Sequence, residues 1–175
     1  MSAVKNEDDA IIVALGSNLR GAFASLESLL DAALDQFEAA GLHIVARSSW
    51  WKSAAWPDPA GPEYRNGVVL VETALGPRAV LDALRRIERD FGRERGEANA
   101  ARTLDLDLIA HGRAEIDVPG LVIPHPRAHQ RRFVMGPLAE IAPSWRHPAQ
   151  GVTAESLAKS ATVGRDAAPA ALHNQ

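Results

Sequence analysis

Two aspartates, two residues apart, carry the strongest chemical signal in the chain. In Arg102-Thr103-Leu104-Asp105-Leu106-Asp107-Leu108 leucine alternates with polar residues. Side chains two apart on a strand share a face. Thr103, Asp105 and Asp107 therefore point one way, and Leu104, Leu106 and Leu108 point into a core. The two carboxylates then stand about 7 Å apart at the backbone. Like charges that close repel unless a cation lies between them. Magnesium suits such a pair, since it takes one or two carboxylates and fills its shell with water and phosphate oxygens. The alternative is a solvated strand face with two exposed acids, although strands are poor in Asp. Arginines flank the acidic strand: Arg93, Arg95 and Arg102 around one loop, then Arg127, Arg131 and Arg132. Guanidinium forks match phosphate oxygens two at a time. Any one of them reads as solvated loop charge; beside an acid pair they read together as a polyphosphate site.

Three other motifs carry weaker signals. Gly16 to Gly21 has the glycine spacing of a P-loop, but Ala22 and Phe23 follow where Lys and Ser/Thr are required. A tight turn with Ser17 or Asn18 capping a helix explains it better. His125 and His129 have a zinc-compatible spacing, but Pro124 and Pro126 argue against a continuous helix there. A histidine donating to phosphate or backbone fits better. Trp50, Trp51, Trp56 and Tyr64 surround a proline-rich loop and border Asn66. Such a cluster reads first as core packing. With Asn66, whose amide donates and accepts at once, it would also suit a flat heterocycle with a polar edge.

These residues need a frame. Residues 10–15 form an apolar run that reads as a buried strand. Phe23, Leu26, Leu29, Leu30, Leu34 and Phe37 recur at helical spacing up to Gly41. Residues 42–51 read as a strand, 53–62 as a loop with three prolines, and 64–73 as another strand. Gly76-Pro77 opens a helix with Val80, Leu81, Leu84, Ile87 and Phe91 as its stripe, closed by Gly92. A polar loop over 92–101 leads to the acidic strand at 102–110. That loop has few apolar anchors, so it is expected to be mobile when free and to close over a bound polyphosphate. Five prolines between Val118 and Trp145 leave room only for short elements, and 153–161 would be a terminal helix. The order strand, helix, strand, strand, helix, strand is the split βαβ pattern of an α+β, ferredoxin-like fold. It implies a mainly antiparallel sheet with helices packed on it in three α-β-α layers. Residues 10–162 are expected to form a single domain, with 1–9 and 163–175 as flexible termini.

Composition narrows the partners. The chain has 175 residues, enough for one core and little more. A net charge of −3 gives no basic footprint for nucleic acid. There is no cysteine, which removes disulfides and thiolate metal sites and fits a reducing compartment. The acidic N-terminal residues lack the basic and apolar regions of a signal peptide, and no apolar run approaches the roughly 20 residues of a membrane span. The expectation is a cytoplasmic protein, without nucleic-acid or membrane partners.

Taken together, the blocks resemble the 6-hydroxymethyl-7,8-dihydropterin pyrophosphokinase family, from about Ile11 to Pro148. The resemblance rests on Ala14-Leu15-Gly16-Ser17-Asn18-Leu19, on Tyr64-Arg65-Asn66, and on Arg86-Ile87-Glu88 ahead of Gly92-Arg93. Arg102-Thr103-Leu104-Asp105-Leu106-Asp107 is the most specific block. Pro124-His125-Pro126, Arg131-Arg132-Phe133 and the run from Pro137 to Pro143 complete it. It implies pyrophosphoryl transfer from ATP to the pterin alcohol, giving AMP, in folate biosynthesis. It also implies that Asp105 and Asp107 bind two Mg2+ ions, with Arg93 and Arg102 catalytic beside them. Glu88, Arg95, His125 and Arg131 would contact ATP. Ser53, Tyr64, Asn66 and Phe133 would line the pterin pocket, with Phe133 stacked on the ring. A monomer binding only these small molecules is expected. The sequence departs from the family at Asn99-Ala100-Ala101, where a tryptophan and Gly-Pro are usual, and at Ser53-Ala54-Ala55, where Thr-Pro-Pro is common. Two other readings stay open on sequence alone: a non-catalytic ferredoxin-like module binding a metal or partner, and a metal-dependent phosphohydrolase.

Overall fold

Strands that are apolar at every position must be covered on both faces, and this sheet is. The computed structural model describes residues 6–55, 60–92 and 104–170. Strand β1 (Ile11–Ser17) sends Val13 and Leu15 to one face and Ile12 and Ala14 to the other. In β4 (Tyr64–Glu72), Val69 and Val71 join the first core, and Val68 and Leu70 the second. The first core is closed by helices α1 (Leu26–Leu34) and α2 (Pro77–Asp90), through residues such as Leu30, Leu34, Leu84 and Ile87. The second is closed by α3 (Arg132–Ile141) and α4 (Ala154–Ser160), through Val134, Met135, Leu138 and Leu157. The result is the expected three-layer α-β-α arrangement.

β1 pairs antiparallel with β4 on one side and with β5 (Asp105–His111) on the other. β2 (His43–Arg47) and β3 (Trp51–Ser53) both pair antiparallel with β4. With β2 and β3 counted as one broken strand, the order is fourth, first, third, second, which is the ferredoxin-like order. A separate hairpin, β6 (Ile116–Val118) with β7 (Leu121–Ile123), follows β5.

The structure departs from the sequence expectations in four places. The first helix is shorter than its apolar spacing suggests. It starts at Leu26, capped by Ser25, whose Oγ accepts from Ser28 N at 3.0 Å. Phe23 lies before it and stacks on Phe91, with ring centroids 5.9 Å apart. The single strand expected over 42–51 is broken at 48–50. There Ser48 N still donates to Val68 O, but Ser48 Oγ accepts from Val68 N, and Ser49 N and Oγ donate to Glu140, so side chains take over part of the ladder.

The proline-rich stretch holds a ten-residue helix, α3, running straight through Pro137. An interior proline costs about 3 kcal/mol. Val134, Met135 and Leu138 are buried around it, and each is worth about 1.5–3 kcal/mol on burial, so packing wins. Finally, the terminal segments are not free at their described ends. Residues 7–9 form a 3-10 turn, and β8 (Ala168–Pro169) pairs with β3 where a frayed tail was expected.

Gly136 shows how tightly α3 sits on the sheet. A Cβ there would run into Trp51, meeting Cη2 at 2.5 Å. The indole cannot easily yield. It is buried, its Nε1 donates to Glu140 at 3.0 Å, and the Arg132 guanidinium lies over it. Gly136→Ala would gain about 1 kcal/mol of helix propensity but cost about 1–3 kcal/mol of overpacking. We expect net destabilisation, read as a lower urea midpoint at unchanged slope. A midpoint equal to or above the parent's would show that the Trp51 ring moves aside freely.

Candidate active site

β5 places the acid pair as its alternation requires. Leu104, Leu106 and Leu108 are buried in the first core, and Asp105 and Asp107 are half-exposed on the opposite face. On β1, Gly16 stands opposite Asp105 and Ala14 opposite Asp107. Both neighbours are small, and both aspartates line one cleft. Further across the sheet, Gly16 pairs with Asn66, and Asn66 with Trp51. One row of backbone thus carries Asp105, Gly16 and Asn66 side by side.

A cleft of about 220 Å³ covers this row between the sheet and the start of α3. It is lined by Ser53, Tyr64, Asn66, Asp105, Asp107, Arg131 and Phe133, with Ala14, Leu15, Gly16, Ala54 and Val134 as its small and apolar walls. Asn66 and Ser53 are each only 5% exposed. Asn66 Nδ2 donates to Ser53 Oγ at 2.9 Å, which fixes the amide plane. Asn66 Oδ1 lies toward Gly16, 3.2 Å from where a Cβ on that glycine would stand. The Arg131 guanidinium sits over the Phe133 ring, 5.7 Å from its centroid. Arg131, grouped with the ATP contacts by resemblance, thus lines this cleft together with the pterin-side residues.

A second cleft, of about 460 Å³, opens on the other side of the β5 end. α2 contributes Leu81, Arg85, Glu88 and Arg89, β5 contributes Leu106, Asp107 and Leu108, and the β6–β7 hairpin and His125 close it. Glu88 is 4% exposed and accepts from Leu106 N at 2.7 Å, tying α2 to the acidic strand. His125 N donates to Ile109 O, and its Nδ1 accepts from Arg127 N at 3.1 Å. That pattern assigns the ring proton to Nε2. Burial lowers the His125 pKa; Asp107 opposes the shift, and Arg131, Arg127 and His129 reinforce it. The shift favours the neutral ring, with Nε2–H as its donor.

Asp107 lines both clefts. The acid pair presents two carboxylates to the Asn66 cleft. Two carboxylates beside open space suit a hard cation that keeps water and substrate oxygens.

Arg93, Arg95, Arg102, Thr103, Trp56 and Asn99-Ala100-Ala101 lie outside the described residues. Trp51 is core rather than cleft lining, and Trp50 covers Gly67. Sequence reasoning missed Arg85 and Arg89 as cleft residues. Their spacing with Leu81, at i, i+4 and i+8 on one helix face, was the available signal. The small floor residues Ala14 and Gly16 carried no chemical signal of their own.

Comparison with known proteins places this architecture. The chain is 42% identical over 142 residues to a Synechocystis 2-amino-4-hydroxy-6-hydroxymethyldihydropteridine pyrophosphokinase, covering 81% of this chain and 71% of that one. It is 39% identical to the Pseudomonas aeruginosa enzyme of the same name, covering 92% of this chain and 98% of that one. Among solved structures, Plasmodium falciparum HPPK-DHPS with pteroate superposes with a TM-score of 0.68 at 14% identity. That match covers 86% of this chain and 42% of the longer Plasmodium chain, and it is a likeness of fold. The sequence pattern of the 7,8-dihydro-6-hydroxymethylpterin-pyrophosphokinase family matches residues 12–143. The chain belongs to the 7,8-dihydro-6-hydroxymethylpterin-pyrophosphokinase family.

Proposed function

We propose that this protein transfers the terminal pyrophosphoryl group of ATP to the hydroxymethyl group of 6-hydroxymethyl-7,8-dihydropterin, a step of folate biosynthesis. The observation that carries this reading is that Asp107 lines both clefts. Two substrates seated on either side of β5 would meet at the acid pair.

The Asn66 cleft would take the pterin. Its buried amide offers a polar edge, Ser53 and Tyr64 stand beside it, and Phe133 supplies a flat surface for stacking. The larger cleft would take ATP, with the neutral His125 donating through Nε2 and Arg85 and Arg89 at its rim. Glu88 would act on the nucleotide side by holding the β5 backbone through Leu106. Arg131 would reach phosphate from the junction. Arg93, Arg95 and Arg102 are proposed triphosphate contacts from the family resemblance alone.

Asp105 and Asp107 would hold Mg2+, two ions being expected with ATP. When bound, the metal would neutralise charge on the phosphate oxygens. The pterin hydroxyl oxygen forms a bond to the β-phosphorus in line, the bond from that phosphorus to the α,β-bridging oxygen breaks, and AMP leaves. The hydroxyl proton is released. Positioning by the two clefts supplies most of what such a displacement needs from a protein. No described helix is long and apolar enough to cross a membrane; we place the enzyme in the cytoplasm, acting as a monomer.

The test is AMP formation from ATP, Mg2+ and the reduced pterin, with omission controls. AMP should appear only when all three are present, and a chelator should abolish it. ATP consumed at the same rate without the pterin would favour a phosphohydrolase.

A further inference from the structure

The segment 162–170 lies outside the residues matched to the family, yet it ties together two walls of the Asn66 cleft. At one wall, Thr162 N and Val163 N donate to Gln130 O, and Arg132 N donates to Val163 O. Arg132 Nε donates to Ala167 O at 2.9 Å. Gly164 sits directly against Phe133. A Cβ there would stand 2.5 Å from Phe133 Cδ2, and the glycine's φ of +68° disfavours any side chain. At the other wall, Asp166 Oδ2 accepts from Ala54 N at 2.7 Å. Ala168 and Pro169 pair with Lys52 and Trp51, and Ala170 N donates to Trp50 O.

One short stretch of chain thus packs on Phe133 and bonds to Ala54. Both walls line the same cleft. We infer that residues 162–170 form a strap that sets the width of the Asn66 cleft, with Asp166 the positioning residue for its Ser53–Ala54 wall and Gly164 the seat of the Phe133 ring. The inference rests on the assignment of that cleft to the pterin. The strap touches none of the residues lining the larger cleft through these bonds, so its effect falls on one substrate. Asp166 is exposed, so its replacement leaves the core intact.

The experiment compares Asp166→Ala, Asp166→Asn and the parent in steady-state AMP formation and in amide exchange of the free protein. Asp166→Ala should raise the KM for the reduced pterin about fivefold, the scale of one charge-assisted hydrogen bond near a surface, and leave the ATP KM unchanged. Asn keeps an acceptor in place and should return most of the loss. The Ala54 amide should exchange faster in Asp166→Ala. Gly164→Ala should raise the pterin KM further; if it does not fold, the Asp166 pair still decides. An unchanged pterin KM, equal rises for both substrates, or no return with Asn overturns the strap. If the parent makes no AMP, the pterin assignment itself has failed. The strap is then judged by Ala54 exchange alone, and an unchanged rate overturns it.

Discussion

Asp105→Asn and Asp107→Asn should each lower the rate of AMP formation by about a thousandfold, or about 4 kcal/mol of transition-state stabilisation. Asparagine keeps the size and shape of the side chain but removes the charge that a divalent cation needs. Both positions are half-exposed and face away from the leucines of the same strand, so the core is untouched. Removing one of two neighbouring like charges also relieves their mutual repulsion in the absence of metal. Thermal unfolding should therefore stay close to the parent's. The two residues would act on one set of ions, so the double variant should be little worse than either single one. A variant that melts like the parent and keeps near-parental turnover would falsify the assignment of the acid pair to the metal.

Asn66→Ala should reduce kcat/KM for the reduced pterin about a hundredfold while changing ATP affinity little. A site built on hydrogen bonds discriminates strongly because its polar groups are costly to leave unpaired. Two losses would add here: the pterin would lose a proposed amide partner, and buried Ser53 Oγ would lose the Nδ2 donor that faces it. Some loss of stability, about 1–2 kcal/mol, should accompany it. Binding titrations with each substrate separate the two roles. Equal losses for pterin and ATP would make Asn66 a structural residue rather than a recognition group.

Much of this frame was legible in the residues themselves. The alternation around Asp105 and Asp107 fixed which face each side chain takes, because a strand has no freedom to reorder period two. The helices α2 and α4 follow from their apolar spacing and from the first-turn Pro77 and the capping Thr153, whose Oγ1 accepts from Ser156 N. What escaped depended on contacts distant in sequence. The break at residues 48–50 depends on Glu140, 91 positions away from Ser49. α3 crosses Pro137 because its neighbours are buried, which local propensity cannot foresee. β8 is two residues long, and its placement comes from Trp51 and Lys52. Asp105, Asp107 and Asn66 stood out as cleft residues, whereas the charged Arg85 and Arg89 did not. Nor did the two-cleft arrangement, because it needs α2 and the β6–β7 hairpin to close on β5.

An acceptor seated beside Asp105 and Asp107 should attack at the β-phosphorus. This attack is tested most directly with ATP labelled separately at the β and γ phosphorus, incubated with the protein, Mg2+ and the reduced pterin. Both labels should leave together on the pterin, in equal amount, with unlabelled AMP as the nucleotide product. Transfer of the γ label alone, with the β label retained in ADP, would contradict it.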